Sequence, residues 1–162
     1  KQKYIGAFIK MAEVFAQTSE AVRLKVGCIL VKDGNIISHG VNGMPPGWPT
    51  EVCEDRVRYP DAGQWLSPQE IERDFFIDEE GLYKLTTNPE CRHAEEAALE
   101  KMWNSHTTTK GSWMFITHSP CAKCCIKIKT AGIERVYYKH KYRCDKGLTL
   151  LRDSGIIVEQ IN

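Results

Sequence analysis

"WMFITHSPCAKCCIKIKTAGIERVYY" (residues 113–138) is the stretch on which the fold turns. "WMFIT" (113–117) is a short apolar, β-rich run, and "IERVYY" (133–138) is a second. Between them "CAKCCIKIKTA" (121–131) reads as a helix, entered through Pro120 and stopped by Gly132. A strand, a helix and a strand joined by short connections make a parallel pair with the helix packed on one face of the sheet. Downstream, "KGLTLLRDS" (146–154) reads as a short helix closed by Gly155, and "IIVEQI" (156–161) as a last strand.

Upstream, Ile5, Phe8, Ile9, Ala12, Val14 and Phe15 recur close to a 3.6-residue period, so a helix is expected from Tyr4 to about Gln17. "VGCILV" (26–31) and "IISHGV" (36–41) are β-rich runs around "KDGN", a hairpin signature. "NGMPPGWP" (42–49) holds three prolines and two glycines and can only be a loop. Residues 50–90 are less legible. One helix is marked in them, with Ser67 as N-cap, Pro68 in the first turn and Glu70 three after the cap, running into "IERDFFI" (71–77). Residues 92–103, "RHAEEAALEKMW", form another helix. The expected order is α-β-β-insertion-α-β-α-β-α-β: an α/β chain with a largely parallel sheet, helices on its faces and an antiparallel hairpin at its entry. No repeat, low-complexity tract or linker interrupts it, so residues 1–162 read as one domain with an insertion at about 49–90.

The chain of 162 residues is 42% apolar and 27% charged, the balance of an ordinary globular protein. A net charge of +1 gives no bulk electrostatic case for nucleic acid, membrane or an acidic partner. No apolar run approaches membrane-spanning length, and "KYIGAFIKMAEVFAQ" (3–17) has no signal-peptide core. A cytoplasmic location is the default expectation. The chain opens on Lys1 instead of Met, so its first residue is expected to lie upstream.

Seven cysteines are many for this length. Cys28, Cys53, Cys91 and Cys144 are scattered, whereas Cys121, Cys124 and Cys125 cluster. Clustered cysteines outside a secreted disulfide framework point to metal binding or catalysis. Thiolates at a helix start are favoured by the partial positive charge there. One C-x-x-C supplies two ligands, and catalytic zinc takes three with an open position. His93 opens the helix expected beside this one, because ligands in such sheets gather where strands end and helices begin. Glu95 then stands two residues from a ligand, placed to exchange protons with an attacking water. A structural zinc site would need a fourth ligand, for which Cys125 is the candidate, and helical spacing alone leaves that open.

His93, Glu95, Pro120, Cys121 and Cys124 fit H-x-E…P-C-x-x-C, the pattern of zinc-dependent nucleobase deaminases. With "KVGCILVKDGNIISHGVNGMPPG" (25–47) and "RHAEEAAL" (92–99), the chain resembles deoxycytidylate (dCMP) deaminases of the cytidine deaminase superfamily. "GVNGMP" and the long insertion ahead of "HAE" point to a phage-type enzyme. The resemblance implies a three-layer α-β-α fold around a five-stranded mixed sheet, and zinc held by His93, Cys121 and Cys124. It makes Glu95 the acid/base and Cys125 a small buried residue. The implied reaction is hydrolysis of dCMP to dUMP and ammonia, supplying thymidylate synthesis, in the host cytoplasm if the protein is viral.

The same resemblance implies backbone contacts to the base from Ala94 and Ser119, and a contact to base or phosphate from Tyr142. Asn42 would reach the sugar region, although an Asn before Gly43 is also an ordinary turn residue, and Val41 replaces the family's Tyr. Lys139, Lys141 and Arg143 could serve a 5′-phosphate or simply be a solvated face. Relatives are typically hexamers activated by dCTP with Mg²⁺ and inhibited by dTTP, which makes Asn42 and Gly43 effector candidates. Some hold a second, structural zinc; Cys53 and Cys91 flank the insertion here, but "SEAVRL" (19–24) lacks the accompanying Cys, so none is expected. Cys28 is expected in the core. The competing readings are a tRNA adenosine deaminase, which has a short connection before "HAE", and a non-enzymatic zinc module binding nucleic acid, which leaves Glu95 unexplained.

Overall fold

The computed structural model describes residues 2–50, 52–142 and 144–162. Helix α1 (Gln2–Ala16) leads into strands β1 (Gly27–Lys32) and β2 (Asn35–Val41). Their turn places Asp33 at φ 50° and Gly34 at φ 82°, both left-handed, as the tight hairpin turn signalled by "KDGN" requires. The inserted stretch carries β3 (Glu54–Arg58), α2 (Ala62–Trp65), α3 (Pro68–Asp74), β4 (Phe76–Asp78) and β5 (Gly81–Thr87). Then follow α4 (Ala94–Glu100), β6 (Trp113–His118), α5 (Ala122–Thr130), β7 (Arg135–His140), α6 (Lys146–Asp153) and β8 (Ile157–Gln160).

The main sheet runs β2-β1-β6-β7-β8. β1 is antiparallel to β2 and to β6, while β6, β7 and β8 are parallel, so the sheet is mixed. Alternate residues face opposite sides. Ile29, Val31, Phe115 and Tyr137 pack with Ile9 and Ala12 of α1. Cys28, Leu30, Met114, Ile116 and Val136 pack with Ala94 and Ala98 of α4, Ile128 of α5 and Leu148 and Leu151 of α6. This is the expected α-β-α sandwich.

Two helices sit directly on glycine. A Cβ at Gly27 would fall 2.0 Å from the Ala12 carbonyl oxygen, and one at Gly40 would fall 2.2 Å from that of Ala94. Both contacts are with helix backbone, which cannot yield without moving the helix. Gly40→Ala is expected to cost about 3 kcal/mol and lower Tm by roughly 6–12 °C for a chain of this size. A melting curve matching the wild type would show that α4 does not rest on β2 as described.

The insertion departs from expectation. Its Ser67–Glu70 capping box is present, but the helix stops at Asp74 instead of running to 77. Phe75 is already extended, and Phe76 joins β4, where its ring stacks on Tyr83 at 5.5 Å. A second, antiparallel sheet, β3-β5-β4, was not legible in the sequence. β3 reads "EDRVR", with one apolar residue, and is held by pairing to β5 and by Arg56 and Arg58 on Asp78 at 3.0 and 2.5 Å. Among the described residues no helix is long and apolar enough to cross a membrane.

Candidate active site

β6 ends at His118, and the chain turns through Ser119 and Pro120 into α5, with Cys121 as N-cap. His93 is the N-cap of α4. Two helix starts therefore meet at one end of the sheet. His93 Nδ1 lies 3.6 Å from Cys121 Sγ and 3.3 Å from Cys124 Sγ, and the three donor atoms lie within 4.8 Å of one another. Tetrahedral zinc with ordinary Zn–S and Zn–N bonds spaces its donors about 3.6 Å apart. The trio fits that ion in both donor chemistry and spacing. Hydrogen bonds from Cys124 and His93 pull the Cys121 thiol down to about 3, so this sulfur is held as thiolate. The shared proton and burial push Cys124 the other way, and the contact with Cys121 raises His93. A bound dication would displace that proton and leave both sulfurs free to coordinate.

Cys125 does not join them. Its thiol is buried against the start of α6, donating to the Gly147 carbonyl at 3.2 Å, and burial pushes it up to about 12. Glu96 ties the starts of α4 and α5 together. Its carboxylate accepts the His93 backbone N–H at 3.0 Å and the Lys127 ammonium of α5 at 2.6 Å.

Glu95 is 3% exposed and lines the same cleft as His93 and Cys121. Burial raises its carboxyl to about 7, the range in which a carboxylic acid can both take and return a proton at neutral pH.

A cleft of about 400 Å³ opens over these groups. His93, Ala94, Glu95, Ser119, Cys121, Asn42 and Tyr142, all picked out from the sequence, line it. Cys124, which is buried, and Gly43 are not part of the lining. Gly43 instead exchanges both backbone hydrogen bonds with Arg92, at 3.1 and 2.9 Å, which fixes the "GVNGMP" loop to the residue before His93.

Asn42 turns out to be a latch. Its Oδ1 accepts from Val26 N–H at 2.7 Å and from the Ser19 hydroxyl at 2.9 Å, and its Nδ2 donates to the Leu24 carbonyl at 2.7 Å. One Nδ2 hydrogen is left for a ligand. The Ser119 N–H donates to the His140 carbonyl at 2.8 Å, and its hydroxyl accepts from Tyr142 N–H at 2.7 Å.

Lys141 lines the cleft, Lys139 pairs with Glu13 of α1 at 2.5 Å, and Arg143 lies outside the described residues. Sequence reading missed Arg23, Glu54, Thr87 and His118, which also line the cleft. His118 adjoins Ser119 in the motif already read, whereas Arg23, Glu54 and Thr87 come from separate segments with no shared spacing, so only the fold could bring those three together. The Cys53 and Cys91 thiols are in hydrogen-bonding contact. Among the described residues the His93 trio is the one cluster of three or more metal-ligating groups.

Residues 3–140 match the family model of the cytidine and deoxycytidylate deaminase zinc-binding region. The chain belongs to the cytidine and deoxycytidylate deaminase family. Among solved structures in this family, cyanophage S-TIM5 dCMP deaminase in complex with dCMP and dUMP is similar, with a TM-score of 0.78 and 38% identity over 99% of this chain and 98% of that one. The deoxycytidylate deaminase of Enterobacteria phage T4 is 26% identical, the match covering 93% of this chain and 86% of that protein. The Saccharomyces cerevisiae deoxycytidylate deaminase is 27% identical over 96% of this chain, which spans only 44% of that longer relative.

Proposed function

We propose that this deaminase hydrolyses dCMP to dUMP and ammonia, with His93, Cys121 and Cys124 holding zinc and Glu95 moving the protons. The observation that carries this is a buried, raised carboxyl placed against a two-sulfur, one-nitrogen ligand set on the floor of a nucleotide-sized cleft. The 38% identity to a cyanophage enzyme solved with dCMP and dUMP supports the choice of base and sugar.

Zinc, when bound, supplies a Lewis acid that brings the pKa of water toward neutrality. Glu95 takes the proton of the attacking water and hands it to N3, making C4 electrophilic. Water oxygen adds to C4, and Glu95 then carries the second proton to the departing amino group. One water enters and one ammonia leaves. The Ala94 and Ser119 backbone groups and the remaining Asn42 hydrogen orient base and sugar. Arg23 and Lys141, both lining the cleft, are the cations for the 5′-phosphate.

Regulation follows in the same reading. The chain assembles as a homohexamer, with dCTP–Mg²⁺ as activator and dTTP as inhibitor near Asn42 and Gly43. The Gly43–Arg92 bridge supports the effector part of this, since a shift of that loop passes through Arg92 to the adjoining His93.

The test is ammonia release by zinc-loaded protein from dCMP, cytidine and a tRNA anticodon stem-loop, with and without Mg-dCTP. Turnover on dCMP of about 1–100 per second, increased by dCTP, is expected. Silence on dCMP with activity on RNA would overturn the proposal.

A further inference from the structure

The inserted segment reaches into the cleft through one buried acid. Glu54, at the start of β3, is 7% exposed. Its carboxylate accepts the backbone N–H of Val22 at 3.1 Å and of Arg23 at 3.1 Å, across more than thirty residues of sequence. Thr87, paired with Glu54 across β3 and β5, accepts from the Arg23 guanidinium at 3.4 Å. The insertion thus holds Arg23 twice, by its backbone and by its side chain. Asn42 fixes the same segment from the other side, at Leu24 and Val26.

Residues 18–26 have no helix or strand of their own, so these side chains set the path of the backbone. A buried carboxylate loses hydration, and here it is offset by N–H groups of one short irregular stretch. That stretch lines the cleft with Ala21, Arg23, Leu24 and Val26, and Arg23 is the charged one among them.

We infer that Glu54 is a positioning residue for Arg23, and that the insertion thereby makes the cleft selective for a 5′-phosphorylated nucleoside. The inference rests on the nucleotide reading above. A guanidinium whose backbone is already fixed loses less freedom on meeting a phosphate, so the gain appears in substrate binding and leaves the chemical step alone. Loss of a charge-assisted contact to phosphate is worth roughly 10- to 100-fold in affinity.

The experiment compares kcat and KM for dCMP and for 2′-deoxycytidine in zinc-loaded wild type, Arg23→Gln, Glu54→Ala and Thr87→Val. Arg23→Gln is expected to raise KM for dCMP about 30-fold, and Glu54→Ala about tenfold, with kcat within about threefold of wild type. In both, the preference for dCMP over deoxycytidine, as a ratio of kcat/KM, falls by the same factor. Arg23 and Thr87 are on the surface and their variants fold even if Glu54→Ala does not. A preference unmoved in Arg23→Gln and Thr87→Val, or a Glu54→Ala that depresses both substrates equally, overturns the inference. Wild type inactive on dCMP overturns the functional reading, and this one with it.

Discussion

Glu95→Gln is expected to keep one zinc per chain and to lower kcat on dCMP by about 10³-fold or more. The amide has the carboxylate's shape and fills the same buried space, so the neighbouring side chains have no reason to move. What it lacks is the ability to carry a proton. The reaction needs the same group twice, once to take a proton from water and once to return one to the amine. Burial supplies the poise, raising the carboxyl to about 7 where an exposed glutamate would stay ionised. Steady-state rates beside metal analysis of the same sample check this. Near-normal turnover in a zinc-replete variant would remove Glu95 from the mechanism.

Cys124→Ala should do the opposite, losing metal first and activity as a result. The sulfur is buried at 1% exposure and lies 3.3 Å from His93 Nδ1, and removing it leaves two protein ligands. A site binding zinc at about 1,000 times its Kd is stabilised by about 4 kcal/mol, so Tm is expected to drop roughly 8–16 °C. Wild type stripped by a chelator should melt with the variant, because both have lost the same ion. Cys125→Ala is the control: its thiol faces Gly147, and the variant should retain zinc. Full zinc content in Cys124→Ala, or its loss in Cys125→Ala, would reassign the ligands.

The sandwich and the meeting of His93, Cys121 and Cys124 were legible because each rests on a local pattern. "WMFIT" and "IERVYY" are buried strands whose apolar content is required by helices on both faces. "HAE" and "PCAKC" announce themselves through chemistry that a surface helix would not need. The insertion escaped for a physical reason. Few of its residues are buried, Cys53, Glu54 and Ala62 among them, and its strands are stabilised by pairing and by arginine–aspartate contacts. Apolar periodicity is silent about such a sheet. "DFFI" then read as the end of a helix, when Phe75 and Phe76 are extended. Asn42 was ambiguous for a related cause. An Asn before Gly suits a turn or a ligand equally, and only tertiary contacts show it gripping Ser19, Leu24 and Val26. Arg23 and Glu54 carry no motif at all.

The placement of the ligands also dictates an order of assembly. His93 and Cys121 are 28 residues apart. Between them lies β6, which must be flanked by β1 and β7 for the starts of α4 and α5 to face each other. A nascent chain emerging as far as β6 displays a histidine and neither clustered thiol. The three donor atoms meet only where α4 and α5 start side by side on the sheet, so binding of an ion by all three would be coupled to closure of the sheet around β6. Loss of the ion would then be felt along the whole seam between the two halves of the sheet.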